Sequence, residues 1–85
     1  MKIIYKFAIE PDFTVFLPKR AQVLTVQIQH NQPQMWVLLK NDDERERRRF
    51  IAVPTGKEIP GEFDLRYINT FQLDSGLVFH VFEVV

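Results

Sequence analysis

Apolar and polar residues alternate at a period of two along most of this chain, and no stretch repeats apolar residues at helical spacing. From Ala21 to His30, Leu24, Val26 and Ile28 fall on one face and Val23, Thr25, Gln27 and Gln29 on the other. That is the pattern of a half-buried strand with a wet side. Lys2 to Ile9 predicts another strand, with Ile3, Tyr5, Phe7 and Ile9 opposite Lys2, Ile4, Lys6 and Ala8. Phe13 to Leu17 forms a short strand between the Glu10-Pro11-Asp12 turn and Pro18, and Lys19-Arg20 is a polar connector. Asn31-Gln32-Pro33 reads as a turn, after which Gln34 to Lys40 returns largely apolar on both sides. Asn41 to Arg49 reads as a charged loop, Phe50 to Val53 as a strand, and Pro54 to Gly61 as irregular.

The strongest local signal is at the end of the chain. Tyr67 to Leu73 and Leu77 to Val85 are β-favouring runs joined by Asp74-Ser75-Gly76, which predicts a hairpin. Gly76 supplies the positive φ of a G1 bulge, and Asp74 and Ser75 suit the turn. On the return strand Leu77, Phe79 and Val81 share one face, and Val78, His80, Phe82 and Val84 the other. A strand apolar on both sides belongs at the centre of a sheet, covered by other layers or by oligomer partners. The expected fold is therefore all-β, a small antiparallel sandwich or partly open barrel of about seven strands. It forms one domain spanning residues 1–85.

Composition narrows the function. Eleven Lys and Arg balance eleven Asp and Glu, so no overall field draws the chain to nucleic acid or an anionic membrane, and any anion site is local. Cys is absent, which removes disulfides, thiolate metal sites and thiol catalysis and fits a reducing cytoplasm. Lys6 and Glu10 interrupt the N-terminal apolar run before a signal-peptide core can form, and no apolar run approaches membrane-spanning length. The expectation is a cytoplasmic protein without a membrane partner.

Several residues could carry chemistry. Arg45, Arg47, Arg48 and Arg49 could present planar forks to a phosphate, or could pair with Asp42, Asp43, Glu44 and Glu46 in a solvated loop. If the strand begins near Arg48, Arg47 and Arg49 share a face and Arg48 takes the other. Thr55-Gly56-Lys57 could cradle a phosphate, or could be a turn; it lacks the spacing and helix of a P-loop. Trp36 reads first as a core anchor and second as a stacking platform, a role Tyr67 could share. His30 and His80 lack a third ligand at zinc spacing, and a hydrogen-bonded structural role suits His80 better. Ser75, the lone serine, sits in a turn, and most candidate carboxylates do too, which argues against an enzyme and for a protein without cofactors.

A set of residues also carries a resemblance. Ile3-Ile4-Tyr5-Lys6, Leu17-Pro18-Lys19, Leu24-Thr25-Val26-Gln27, Trp36, Thr55-Gly56, Ile59-Pro60, Tyr67-Ile68-Asn69-Thr70-Phe71-Gln72 and Leu77-Val78-Phe79-His80-Val81-Phe82-Glu83 resemble a family of small phage- and prophage-encoded proteins of unknown function. The likeness covers nearly the whole chain and is most specific in the last hairpin. His then Pro often follow the Thr-Gly pair in that family, where Lys57 and Glu58 stand here. The resemblance implies an accessory protein that acts by binding in the infected cell, either sequestering a small defence signal or inhibiting a host protein. The leading expectation is a homo-oligomeric, non-enzymatic binder of a phosphate-bearing nucleotide derivative. Arg47, Arg49, Thr55, Gly56 and Lys57 would hold phosphate, and Trp36 or Tyr67 would stack on a base. A protein-binding inhibitor of a host enzyme is the first alternative, and a nucleotide-processing enzyme the second.

Overall fold

The computed structural model describes residues 1–41, 44–59 and 61–85. Among them the period-two segments form seven strands and no helix: β1 (Lys2–Ala8), β2 (Asp12–Pro18), β3 (Gln22–Gln29), β4 (Gln32–Lys40), β5 (Arg45–Pro54), β6 (Leu65–Gln72) and β7 (Val78–Val84). All pairings are antiparallel, in a three-stranded sheet ordered β1-β4-β3 and a four-stranded sheet ordered β2-β5-β7-β6. The two sheets form an open sandwich, so of the two expected architectures the sandwich stands and the barrel does not. No helix among the described residues is long and apolar enough to cross a membrane.

Short corners move the chain from one sheet to the other. At the first, the Ile9 N–H still donates to Pro33 of the small sheet, while the Pro11 carbonyl already accepts from Ala52 of the large one. Ile9 is buried at this pivot. At the second, the Ala21 N–H closes a turn on the Pro18 carbonyl through Arg20, whose φ is 66°. The β3–β4 connection is a two-residue turn, His30 at φ 51° and Asn31 at φ 63°, which matches the type I′ turn of a tight hairpin. The turn thus falls one residue earlier than Asn31-Gln32-Pro33, and Pro33 belongs to β4 opposite Ile28. The β6–β7 hairpin forms as expected. Gly76 has φ 92°, and Leu73 both accepts from the Gly76 N–H and donates to the Leu77 carbonyl. β7 lies between β5 and β6, central in its sheet as its two apolar faces require.

The core is the layer between the sheets. Val26, Met35, Val37 and Leu39 meet Leu17, Phe50, Phe71 and Val81, with Phe13 stacked on Phe50 at 5.3 Å between ring centroids. Three sequence expectations are corrected here. β5 starts at Arg45, so the charged segment Arg45–Arg49 is strand; Asp42 and Asp43, in the remainder of the expected loop, lie outside the described residues, as does Pro60. A bulge at Leu24 breaks the alternation of β3, which puts Val23 on the core side with Val26 and Ile28 and leaves Leu24 43% exposed. Trp36 does not anchor the core. Its neighbours Met35 and Val37 take the inward positions, so the indole lies half-buried on the outer face of the small sheet, between Lys6 and Thr25.

Candidate functional site

The residues expected to hold phosphate fall in separate places. Arg47 and Arg49 do share a face of β5, the outer face of the large sheet, and Arg48 takes the inner face. The Arg49 fork is already engaged: its Nε and Nη2 donate to Asp12 Oδ1 and Oδ2 at 3.0 and 2.7 Å, and its guanidinium lies 4.8 Å from the Phe63 ring centroid. The pair holds the Asp12 carboxyl below its ordinary range and raises Arg49, in both cases chiefly through the shared hydrogen bonds. Thr55 follows Arg47 along most of β5, roughly 26 Å away at about 3.3 Å per residue. There Pro54, Thr55, Gly56 and Lys57 make a turn closed by the Lys57 N–H on the Pro54 carbonyl, with Gly56 at φ 89° as a type II turn demands. The Thr55 N–H donates to Val78. Two of the backbone donors expected to cradle phosphate are therefore used by the turn and the adjoining strand. Trp36 lies across the core on the opposite outer face, away from both groups.

Tyr67 and Thr55 are instead joined through His80. On the outer face of the large sheet the Tyr67 hydroxyl meets Thr70 Oγ1 at 2.8 Å, Thr70 Oγ1 meets His80 Nδ1 at 2.9 Å, and His80 Nε2 meets Thr55 Oγ1 at 2.7 Å. Both ring nitrogens of His80 thus have hydroxyl partners, the hydrogen-bonded arrangement anticipated for it. Among the described residues the partners of this imidazole are hydroxyls, not the carboxylate that orients the base of a nucleophile-activating triad. His30 sits exposed in the β3–β4 turn. Among the described residues no group of His, Cys, Asp and Glu could hold a metal ion.

A different arrangement occupies the end of the sandwich where β5 begins and β7 ends. Arg48, on the inner face, donates through Nε and Nη2 to Glu83 Oε2 and Oε1 at 2.6 and 2.7 Å, and through Nη1 to the Ala21 carbonyl at 2.6 Å. The side chains are 12% and 8% exposed. Burial favours the neutral forms, yet the paired fork wins and Arg48 is raised, first by its hydrogen bond to Glu83. Arg66 on β6 brings Nη1 to 3.7 Å from Glu83 Oε1 while its side chain stays 66% exposed.

This pair floors a cleft of about 500 Å³ between the β3 and β6 edges, with Arg20, Leu24, Arg66 and Tyr67 on its walls. It adjoins a second cleft of about 370 Å³ that Arg47 and Glu46 border, and Arg20, Arg48, Arg66 and Glu83 line both. Of the expected ligand residues the structure brings Arg47 and Tyr67 to this continuous feature. Arg66 and the Arg48–Glu83 floor were missed. The available signal was parity: Glu83 continues the inward series Phe79 and Val81, and a carboxylate at an inward position needs a cation partner, which Arg48 supplies from the inward series of Phe50 and Ala52.

Comparison with known proteins gave no match among curated proteins and none among solved structures. Along residues 1–85, its whole length, the chain matches a family described as a domain of unknown function, DUF7352, and it belongs to that family.

Proposed function

We propose that the protein is a non-enzymatic binding protein that captures a small phosphate-bearing molecule, a nucleotide derivative, in the arginine-lined cleft at the β3–β6 edge. The observation that carries this reading is the arrangement around Glu83. Its carboxylate is gripped by the buried Arg48, so the exposed Arg66 guanidinium beside it keeps most of its donors directed to solvent. Arg47 adds a second exposed fork in the adjoining cleft. Planar forks suit phosphate oxygens in a way single ammonium groups do not. Tyr67 borders the cleft from the outer face of β6 and is 57% exposed beside Phe82, so a ligand with phosphate at Arg66 reaches its ring for stacking around the β6 edge.

Under the resemblance to phage-encoded proteins, the biological role in this reading is sequestration of a nucleotide-derived signal used in host defence, in the cytoplasm of the infected cell. Sequestration asks only for affinity, which the cleft's cations and a stacking surface would supply. The test is a thermal-shift panel of mononucleotides, linear and cyclic dinucleotides and ADP-ribose derivatives. A ligand at about a hundredfold its Kd should stabilise the domain by roughly 2.7 kcal/mol, on the order of 10 °C for a chain of this size. Arg66→Ala and Arg47→Ala should remove that shift, and Lys57→Ala, at the far end of β5, should leave it intact. A flat panel at millimolar ligand would overturn the reading and leave inhibition of a host protein as the function to pursue.

A further inference from the structure

β1 ends the small sheet, with β4 on one side and no strand among the described residues on the other. The remaining sheet edges are protected in ways natural proteins use against unwanted pairing. β3 has the bulge at Leu24, and the Asn69 side chain covers its Val26 backbone; β6 has a bulge at Ile68; β2 closes on Pro18. β1 lacks a bulge and a proline; its one such device is the exposed pair Lys2 and Lys6, which a partner strand must avoid setting against lysine. Its register with β4 runs unbroken from Lys2 opposite Lys40 to Ala8 opposite Gln34. Its side chains also lack cover. Ile3 and Tyr5 share the inward face with the fully buried Val37 and nearly buried Leu39, yet they are 38% and 42% exposed, so this strand projects beyond the large sheet. Ile4, on the outer face, is 53% exposed.

We infer that β1 is a homodimer interface, in which two copies pair their β1 strands antiparallel with Tyr5 on the two-fold axis. Overlap and charge together select this register: centring on Tyr5 alone pairs all seven residues of β1. A two-fold axis normal to the sheet sets residues of the same face opposite one another. Centred on Ile4, the pairing would oppose Lys2 to the partner's Lys6; centred on Lys6, it would oppose that lysine to its own copy. Like charges directly opposite are destabilising. Centred on Tyr5, it opposes Lys2 to the partner's Ala8, Ile3 to the partner's Phe7, and Ile4 to the partner's Lys6, with no like-charged pair. The partner's Glu10, an exposed carboxylate on the corner two residues past Ala8, lies at the same end of the seam as Lys2. The result is one six-stranded sheet, β3-β4-β1 continued by the partner's β1-β4-β3, in which the overhanging Ile3 and Tyr5 gain apolar neighbours on the inward face.

The chain has no cysteine, so single cysteines read the register cleanly. Sedimentation equilibrium of the wild type should give twice the 10.1 kDa of one chain at high concentration, falling on dilution. Tyr5→Cys should cross-link under mild oxidation, because directly opposed Cα atoms lie about 4.5–5.5 Å apart, within the reach of a disulfide. Ile4→Cys should not, since its own copy lies diagonally, about 7–8 Å away. Ile4→Lys, at an exposed position that leaves folding intact by circular dichroism, should give monomers through repulsion from the partner's Lys6, and Ile4→Glu should remain dimeric. A wild type that stays monomeric at millimolar concentration overturns the inference. So does a dimer that survives Ile4→Lys or cross-links as readily through Ile4→Cys as through Tyr5→Cys.

Discussion

Removing Glu83 should cost this domain about as much as removing a large core side chain. Glu83 is a carboxylate on the inward face of a central strand, 6% exposed, and Arg48 satisfies both its oxygens. Glu83→Ala leaves the Arg48 guanidinium largely buried, with the Ala21 carbonyl as its remaining acceptor among the described residues. Breaking a buried pair in this way costs about 3–5 kcal/mol, whereas replacing both partners with apolar residues of similar volume can be close to neutral. Urea unfolding should therefore show Glu83→Ala strongly destabilised and Arg48→Met with Glu83→Leu near wild type. If the double variant is as unstable as the single one, packing rather than charge governs the site. The Asp12–Arg49 pair behaves differently, being exposed on the rim of the large sheet. The folded Asp12 pKa lies below its ordinary 3.8, so the pair's contribution is present above that value and is lost as pH falls through the folded pKa. Arg49, already raised, stays charged throughout. The stability difference between wild type and Asp12→Asn should be level from about pH 5 upward and shrink toward zero in acid. A difference that persists unchanged at low pH would mean that the pair's charge does not stabilise the fold.

Among the elements, β3 and β6 show how two edge strands of opposite sheets are fastened without a shared ladder. Bulges at Leu24 and Ile68 interrupt both strands, and Asn69, just past its own bulge, uses its amide as a missing strand would: Oδ1 accepts from the Val26 N–H at 2.6 Å and Nδ2 donates to the Val26 carbonyl at 2.7 Å. Val26 is almost fully buried, so Asn69→Ala strands a donor and an acceptor with little access to water. The expected loss is about 1–3 kcal/mol. Asn69→Asp keeps the acceptor for the N–H but turns a carboxylate oxygen toward the Val26 carbonyl, and should be no better than Asn69→Ala. Chemical denaturation of both variants decides the matter; an aspartate variant as stable as wild type would refute the bidentate arrangement. Neither bulge was legible in the sequence, because Leu24 and Ile68 are β-favouring residues and a bulge changes parity without changing composition. The β6–β7 hairpin was legible, since Gly76 and the flanking runs specify turn and strands together. The start of β5 was hidden by its charge: Arg45 to Arg49 alternate faces like any strand, but all of them are ionic, so period two left no apolar trace. The expected phosphate set mixed two ends of that strand for the same reason, and Trp36 was misplaced because its strand is apolar on both faces.

At the scale of the whole molecule the question is whether two sheets with few direct fastenings unfold as one. The sandwich is thin, 15 Å in its shortest extent, so the core is a single layer of side chains to which both sheets contribute. Neither sheet can keep its inner face dry without the other. The coupling should therefore be strong, even though the strand ladders never cross between sheets. The chain provides a convenient reporter, because its single Trp, Trp36, lies on the outer face of the small sheet and has no part in the core. Phe50 belongs to the large sheet and is fully buried at the centre of the core. Phe50→Ala should cost about 3–5 kcal/mol. A domain of this length has about 4–13 kcal/mol in total, so the loss is a large fraction of the whole. If the shared layer makes the domain one cooperative unit, Trp36 emission and far-UV circular dichroism should give the same denaturant midpoint in the wild type. Both should then fall together in Phe50→Ala, although the substitution lies in the sheet that Trp36 does not belong to. Phe16→Ala is the control: Phe16 is 62% exposed on the outer face of β2, and its removal should move neither midpoint by more than the roughly 0.5 kcal/mol of an ordinary surface change. A Trp36 transition that stays in place while part of the dichroism melts early would mean that the small sheet stands without the large one, and the core would have to be described as two surfaces in contact.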